Sequence, residues 1–144
     1  MLAYAEHIGA EIIVSAGRYK NPNSIEKSRE IESKEKNKTI WAPEVRDYLY
    51  ASRIDLNSML TVLCDVKIQP TNMYPINGVN GFTGMKTSVV PHLKVQLKSL
   101  PVLKDYPQKL VLSTGACTVE NYTDTRIGKK GEFEHELGFV IVLS

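Results

Sequence analysis

Residues 109–143 read KLVLSTGACTVENYTDTRIGKKGEFEHELGFVIVL. Two apolar runs, KLVLS at 109–113 and LGFVIVL at 137–143, bracket a polar and charged segment from Asn121 to Glu136. Short apolar runs bounded by glycine and polar residues predict buried strands. With both ends of this third of the chain in a sheet, the polar segment between them is a site or a well-built connection.

Working outward, residues 89–100, VVPHLKVQLKSL, predict a further strand interrupted at Pro91. Leu93, Val95 and Leu97 fall on one face and His92, Lys94, Gln96 and Lys98 on the other, and a proline with one wet face argues for a sheet edge. Residues 60–68, LTVLCDVKI, show the clearest alternation in the chain, with Leu60, Val62, Cys64, Val66 and Ile68 opposite Thr61, Leu63, Asp65 and Lys67. The Gly- and Asn-rich residues 72–87 predict a long loop. Before these, Pro43 suits the first turn of a helix that runs to about Ser52, with Val45, Tyr48 and Leu49 on one face.

The chain opens with a short helix at 2–8 ended by Gly9, then an apolar strand at 10–16, AEIIVSA. A buried strand entered from a helix ordinarily has a parallel neighbour before that helix. The expectation is therefore that the domain is incomplete at its amino terminus, or that another part of the chain fills that place. Residues 23–40 carry five basic and four acidic side chains with only isoleucines as apolar members, and predict a charged, flexible excursion. The fold class expected is α/β or α+β, one domain with a mixed central sheet and few helices.

Length suits one domain, and 42% apolar with 24% charged residues is a globular composition. A net charge of +2 gives no polyelectrolyte signature, so any nucleic-acid surface must come from local clustering. No run approaches the about 18 apolar residues of a membrane span, and the opening MLAYAEHIGAEIIV, with Glu6 and Glu11, is not read as a leader or anchor. Cys64 and Cys117 sit in apolar runs without CxxC or zinc spacing. They are read as buried free thiols in a reducing cytoplasm, the protein's own or a host's.

Three constellations can carry chemistry. Asp65-Val66-Lys67 is half of a pattern used by metal-dependent nucleases, in which a carboxylate holds Mg2+ or Mn2+ and a lysine orients water; an exposed ion pair explains it equally well. Gly128-Lys129-Lys130-Gly131 is the best phosphate candidate, because glycine admits close approach while lysine supplies charge. It lacks the spacing of a Walker A loop. Arg18 and Lys20, after the opening strand, are further phosphate candidates, since α/β sheets place ligands beyond strand carboxyl ends. Asp65, Asp124, Glu134 and His135 are the candidate metal ligands, and Asp65, Lys67 and His135 the candidate catalytic groups. If Phe133 faces the core from a strand, Glu132 and Glu134 share the other face and His135 points inward. His92, on a polar face beside Lys94, is a phosphate ligand or faces water, and the second is the expectation. No GxSxG elbow is present.

Taken together, GAEIIV with RYKNP, then VLCDVKIQPT, then STGACTVENYTDTRIGKKGEFEHELGFVIV resemble a family of uncharacterised phage-encoded proteins. Some members are described as helix-turn-helix or DNA-binding proteins through an additional amino-terminal region. The resemblance covers nearly the whole chain except residues 23–40, and implies a phage context and a nucleic-acid partner. That family's pattern has two adjacent histidines after the phenylalanine, where this chain has Glu134-His135, so a two-histidine metal site is not carried over. The leading expectation is a phage protein that acts on nucleic acid by metal-dependent phosphodiester hydrolysis. The alternative is a non-catalytic nucleic-acid-binding or assembly module.

Overall fold

The computed structural model describes residues 1–15, 43–81, 83–120, 122 and 124–143. Arg18, Lys20 and the charged stretch at 23–40 lie outside the described residues. The fold is α+β, with a five-stranded mixed sheet, a two-stranded parallel sheet and few helices. Contacts divide the chain into two compact units, Met1–Ala51 and Ser52–Ser144.

In the first unit, helix α1 (Leu2–Ile8) ends at Gly9, whose φ of 65° turns the chain so that the Ala10 amide donates back to Ala5 O at 2.9 Å. Strand β1 (Val14–Ser15) pairs in parallel with β2 (Leu49–Tyr50), Val14 against Leu49. A later segment thus provides the parallel neighbour that β1 was expected to need. Residues Pro43–Tyr48 form a 3-10 helix rather than the longer α-helix expected. The chain there turns directly into β2, so Leu49 packs with Val14 as a strand residue, against Ile12, Val45 and Tyr48.

The second unit is built on the order β3-β4-β5-β7-β6, from β3 (Ile54–Asp55), β4 (Leu60–Val62), β5 (Thr87–Val90), β6 (Leu97–Leu100) and β7 (Lys109–Ser113). The central strands β4, β5 and β7 are parallel, and β3 and β6 run antiparallel at the two edges. The one strand expected over 89–100 is instead two, β5 in the sheet centre and β6 at its edge, with residues 91–96 in neither, so the expected edge position holds for β6 alone. Leu63, Val90 and Val111 are fully buried and form one core with Ile76, Val79 and Leu100. Fully burying side chains of this size contributes roughly 1.5–3 kcal/mol each. Ile76 and Val79 come from the long Gly- and Asn-rich connection, so that segment is part of the core wall.

Two further expected strands are corrected. The alternation at 60–68 stops as strand at Val62: the Leu63 amide still bonds to Val89 of the sheet, but Val66 donates to Leu63 O at 3.1 Å and closes a turn over Cys64 and Asp65. The run at 137–143 forms a single bridge, Ala116 to Leu137, and its side chains stand in solvent, with Leu137 77% and Leu143 88% exposed. Cys64 is buried as expected and Cys117 is exposed, both as free thiols. No helix among the described residues is long and apolar enough to cross a membrane.

Candidate functional site

Parallel strands β4, β5 and β7 bring their carboxyl ends to one margin of the sheet. Three connections begin there: Cys64-Asp65 after β4, Pro91-His92 after β5 and Thr114-Gly115 after β7. His92, expected in water, is instead buried at 7% exposure. Its Nδ1 accepts from the Lys94 amide at 3.0 Å, so Nε2 carries the proton and donates to Gln69 O at 3.0 Å. Burial lowers its pKa below the usual imidazole value, a fall that hydrogen bonding to the Gln69 carbonyl partly offsets. The folded state holds this histidine neutral while the unfolded chain protonates it near pH 6.5. Its contribution to stability is therefore full above about pH 6.5 and declines as pH falls toward the folded pKa. Urea unfolding at pH 7, 6 and 5 is expected to show a falling midpoint, with a smaller fall in His92→Asn.

The closing part of the chain clasps this margin. Glu136 donates its amide to Leu93 O at 3.0 Å, and its carboxylate accepts from the Val95 amide. Ala116 donates to Glu136 O at 2.8 Å and Gly138 donates to Ala116 O at 3.0 Å. The clasp is tight at glycine: Gly115 has φ 77°, and a Cβ there would stand 2.9 Å from both Cα and N of Gly138. Beside it, Lys94 Nζ lies 2.5 Å from Glu134 Oε2, with side chains only 23% and 9% exposed.

The segment expected to be a phosphate loop is a helix. Helix α2 (Arg126–Phe133) starts at Thr125, whose side chain accepts from the Gly128 amide at 3.0 Å. Two glycines cost a helix about 1 kcal/mol each relative to alanine, but both here are buried on one face. A Cβ at Gly131 would come within 2.8 Å of the Tyr122 ring, so only glycine lets the helix settle against that ring. Tyr122 donates its hydroxyl to His135 Nδ1 at 2.8 Å, and His135 Nε2 donates to Thr118 O at 2.9 Å, the two rings meeting edge to face. A carbonyl only accepts, which fixes the imidazole proton on Nε2 and makes the phenol the donor at Nδ1. Burial raises the Tyr122 pKa, with the Glu120 charge adding to it.

With its glycine face inward, α2 presents Arg126, Lys129, Lys130 and Phe133 outward. These stand at positions i, i+3, i+4 and i+7, one face of a helix. Phe133, which would have faced the core from a strand, is helical and 86% exposed, while its neighbour Glu134 is buried at 8%. Lys129 pairs with Asp124 at 3.1 Å, but at 70% and 90% side-chain exposure such a pair is worth little and yields readily to another anion.

The residues expected to hold a metal are engaged separately. Asp65 receives Arg53 on both carboxylate oxygens, at 3.4 and 3.2 Å. Asp124 faces Lys129, Glu134 faces Lys94, and both ring nitrogens of His135 are taken by Tyr122 and Thr118. Asp55, a further carboxylate near β4, is held by Lys86 at 2.9 Å, which lowers its pKa. Among the described residues no three His, Cys, Asp or Glu side chains converge as a metal site. Lys67 follows the turn on an exposed connection and does not share a strand with Asp65. Sequence reasoning names Tyr122 only as a hydroxyl and Glu136 only as a possible ligand, and it misses Gly138 and the outward place of Phe133. Reading Thr125 as a cap would have exposed the i, i+3, i+4, i+7 alignment of Arg126, Lys129, Lys130 and Phe133.

No family model matches the chain and no solved structure matches it. It is 26% identical over 146 residues to Protein A1 of Escherichia phage T5, a likeness that covers 96% of this chain and 25% of that protein. The chain thus spans about a quarter of the length of this relative. The likeness supports a phage protein.

Proposed function

We propose that this chain is a phage nucleic-acid-binding protein whose contact surface is the outer face of α2. The observation that carries the reading is the alignment of Arg126, Lys129 and Lys130 on one exposed helical face. In a chain of net charge +2, such a ridge is a local concentration of cations set against a nearly neutral whole. Gly131 packs α2 against Tyr122, so the cations project from a fixed support. A nucleic-acid partner is also what the sequence resemblance implies.

Hydrolysis assisted by Mg2+ or Mn2+ is the less supported reading, because Asp65, Asp124, Glu134 and His135 are held by four different sets of partners. Cleavage of a labelled oligonucleotide in Mn2+, lost in Asp65→Ala, would restore it. For the binding reading the measurement is affinity for a labelled oligonucleotide as a function of salt. The double variant Lys129→Ala/Lys130→Ala is expected to weaken binding and to reduce the slope of log K against log salt by about 1.4–1.8, the equivalent of two phosphate contacts. An unchanged slope would place the contact elsewhere.

A further inference from the structure

We infer that the α2 surface selects single-stranded over duplex nucleic acid, with Phe133 as the platform for an unstacked base. This rests on the binding reading above and specifies its substrate class. Phe133 is 86% exposed, and its neighbours on the same face are cations at i−3, i−4 and i−7. Its exposure is enforced by packing. Rotating α2 to bury the ring would turn Gly128 and Gly131 outward and lift the helix from Tyr122, which approaches Gly131 too closely for any side chain to take its place.

The arrangement matches what a single strand offers. Arg126 and Phe133 are seven positions apart, about 10 Å along the helix axis, so phosphates can lie on the cations while a neighbouring base turns onto the ring. A base with a free face gains by stacking on an aromatic side chain, whatever its identity. In a duplex both faces of each internal base are already covered by its neighbours, and the ring has nothing to stack on without unstacking a step. Phosphate contact is available in both forms. The cations thus give general affinity, and Phe133 gives the preference for strands whose bases are free.

The test compares fluorescence anisotropy of a mixed-sequence single-stranded oligonucleotide with that of its blunt duplex, at one fixed salt concentration. The wild-type chain is expected to bind the single strand more tightly. Phe133→Ala should weaken single-strand binding by about five- to one-hundred-fold and leave duplex binding and the salt slope unchanged, whereas Phe133→Trp should keep the preference. At 86% exposure the residue can be changed without unfolding, which far-UV circular dichroism checks. If Phe133→Ala binds both forms like wild type while Lys129→Ala/Lys130→Ala weakens both, the single-strand inference is overturned and the binding reading stands. If the wild-type chain binds neither form, or binds anionic phospholipid vesicles undisturbed by excess oligonucleotide, both are overturned.

Discussion

Gly115→Ala is expected to be among the most damaging single substitutions in the chain, lowering the unfolding free energy by about 2–5 kcal/mol. Two costs combine. The backbone at Gly115 is left-handed, with φ 77°, and a side chain in that region costs about 1–2 kcal/mol. The added methyl would also meet Gly138 Cα and N at 2.9 Å and Glu136 O at 3.0 Å, all backbone atoms that cannot rotate away. Overpacking of that kind costs about 1–3 kcal/mol. Gly84 separates the two: its φ is 57° but open space surrounds it, so Gly84→Ala should show the conformational cost alone. Urea unfolding of both variants measures the difference, and equal losses would show that Gly138 gives way freely.

Lys94→Met is expected to cost about 3–5 kcal/mol at neutral pH. Methionine keeps most of the packing of the lysine stem, but it leaves the Glu134 carboxylate, 9% exposed, without its cation. Removing one member of a buried pair strands the other charge in a poor solvent, and the loss exceeds what the pair itself contributes. The double variant Lys94→Met/Glu134→Leu should therefore recover most of the loss, since replacing both members with apolar groups is often neutral. Lack of recovery would mean that the pair fixes the geometry of the clasp as well as its charge balance. Either outcome is read from the coupling energy of the double-mutant cycle.

The features legible in sequence were those with local causes. KLVLS at 109–113 became β7 and Pro91 marked a break in the chain, but the two-faced reading of 89–100 did not survive, since His92 is buried and Leu97 is exposed. Misreadings arose where a distant contact overrode the local pattern. The alternation through Val66 and Ile68 looked like continued strand, yet both side chains pack on the core from beyond a turn. Period alone does not distinguish the two. Gly128 and Gly131 read as a phosphate loop because glycine admits close approach, and only the Tyr122 ring explains why the helix needs glycine at 131. The closing LGFVIVL reads as buried because it is apolar, but nothing in a run of apolar residues states what will cover it.

For the candidate site, the cations at 129 and 130 were read on a flexible loop and stand on a helix instead. Asp65, Asp124, Glu134 and His135 were grouped by residue type, the one property a linear sequence gives without geometry. Their partners Arg53, Lys129, Lys94, Tyr122 and the Thr118 carbonyl decide what each can do, and residue type alone names none of them.

The clasp also bears on how the chain folds as it is made. The Val95 amide finds its acceptor 41 residues later, at Glu136. During synthesis β4, β5 and β7 can pair as soon as Ser113 has emerged, but their carboxyl margin lacks its closing partners until Gly138 follows. Contacts so distant in sequence form late. A nascent chain stalled before Glu136 should therefore hold a paired sheet with one unfinished margin, and that margin is where a chaperone or protease would first find exposed backbone.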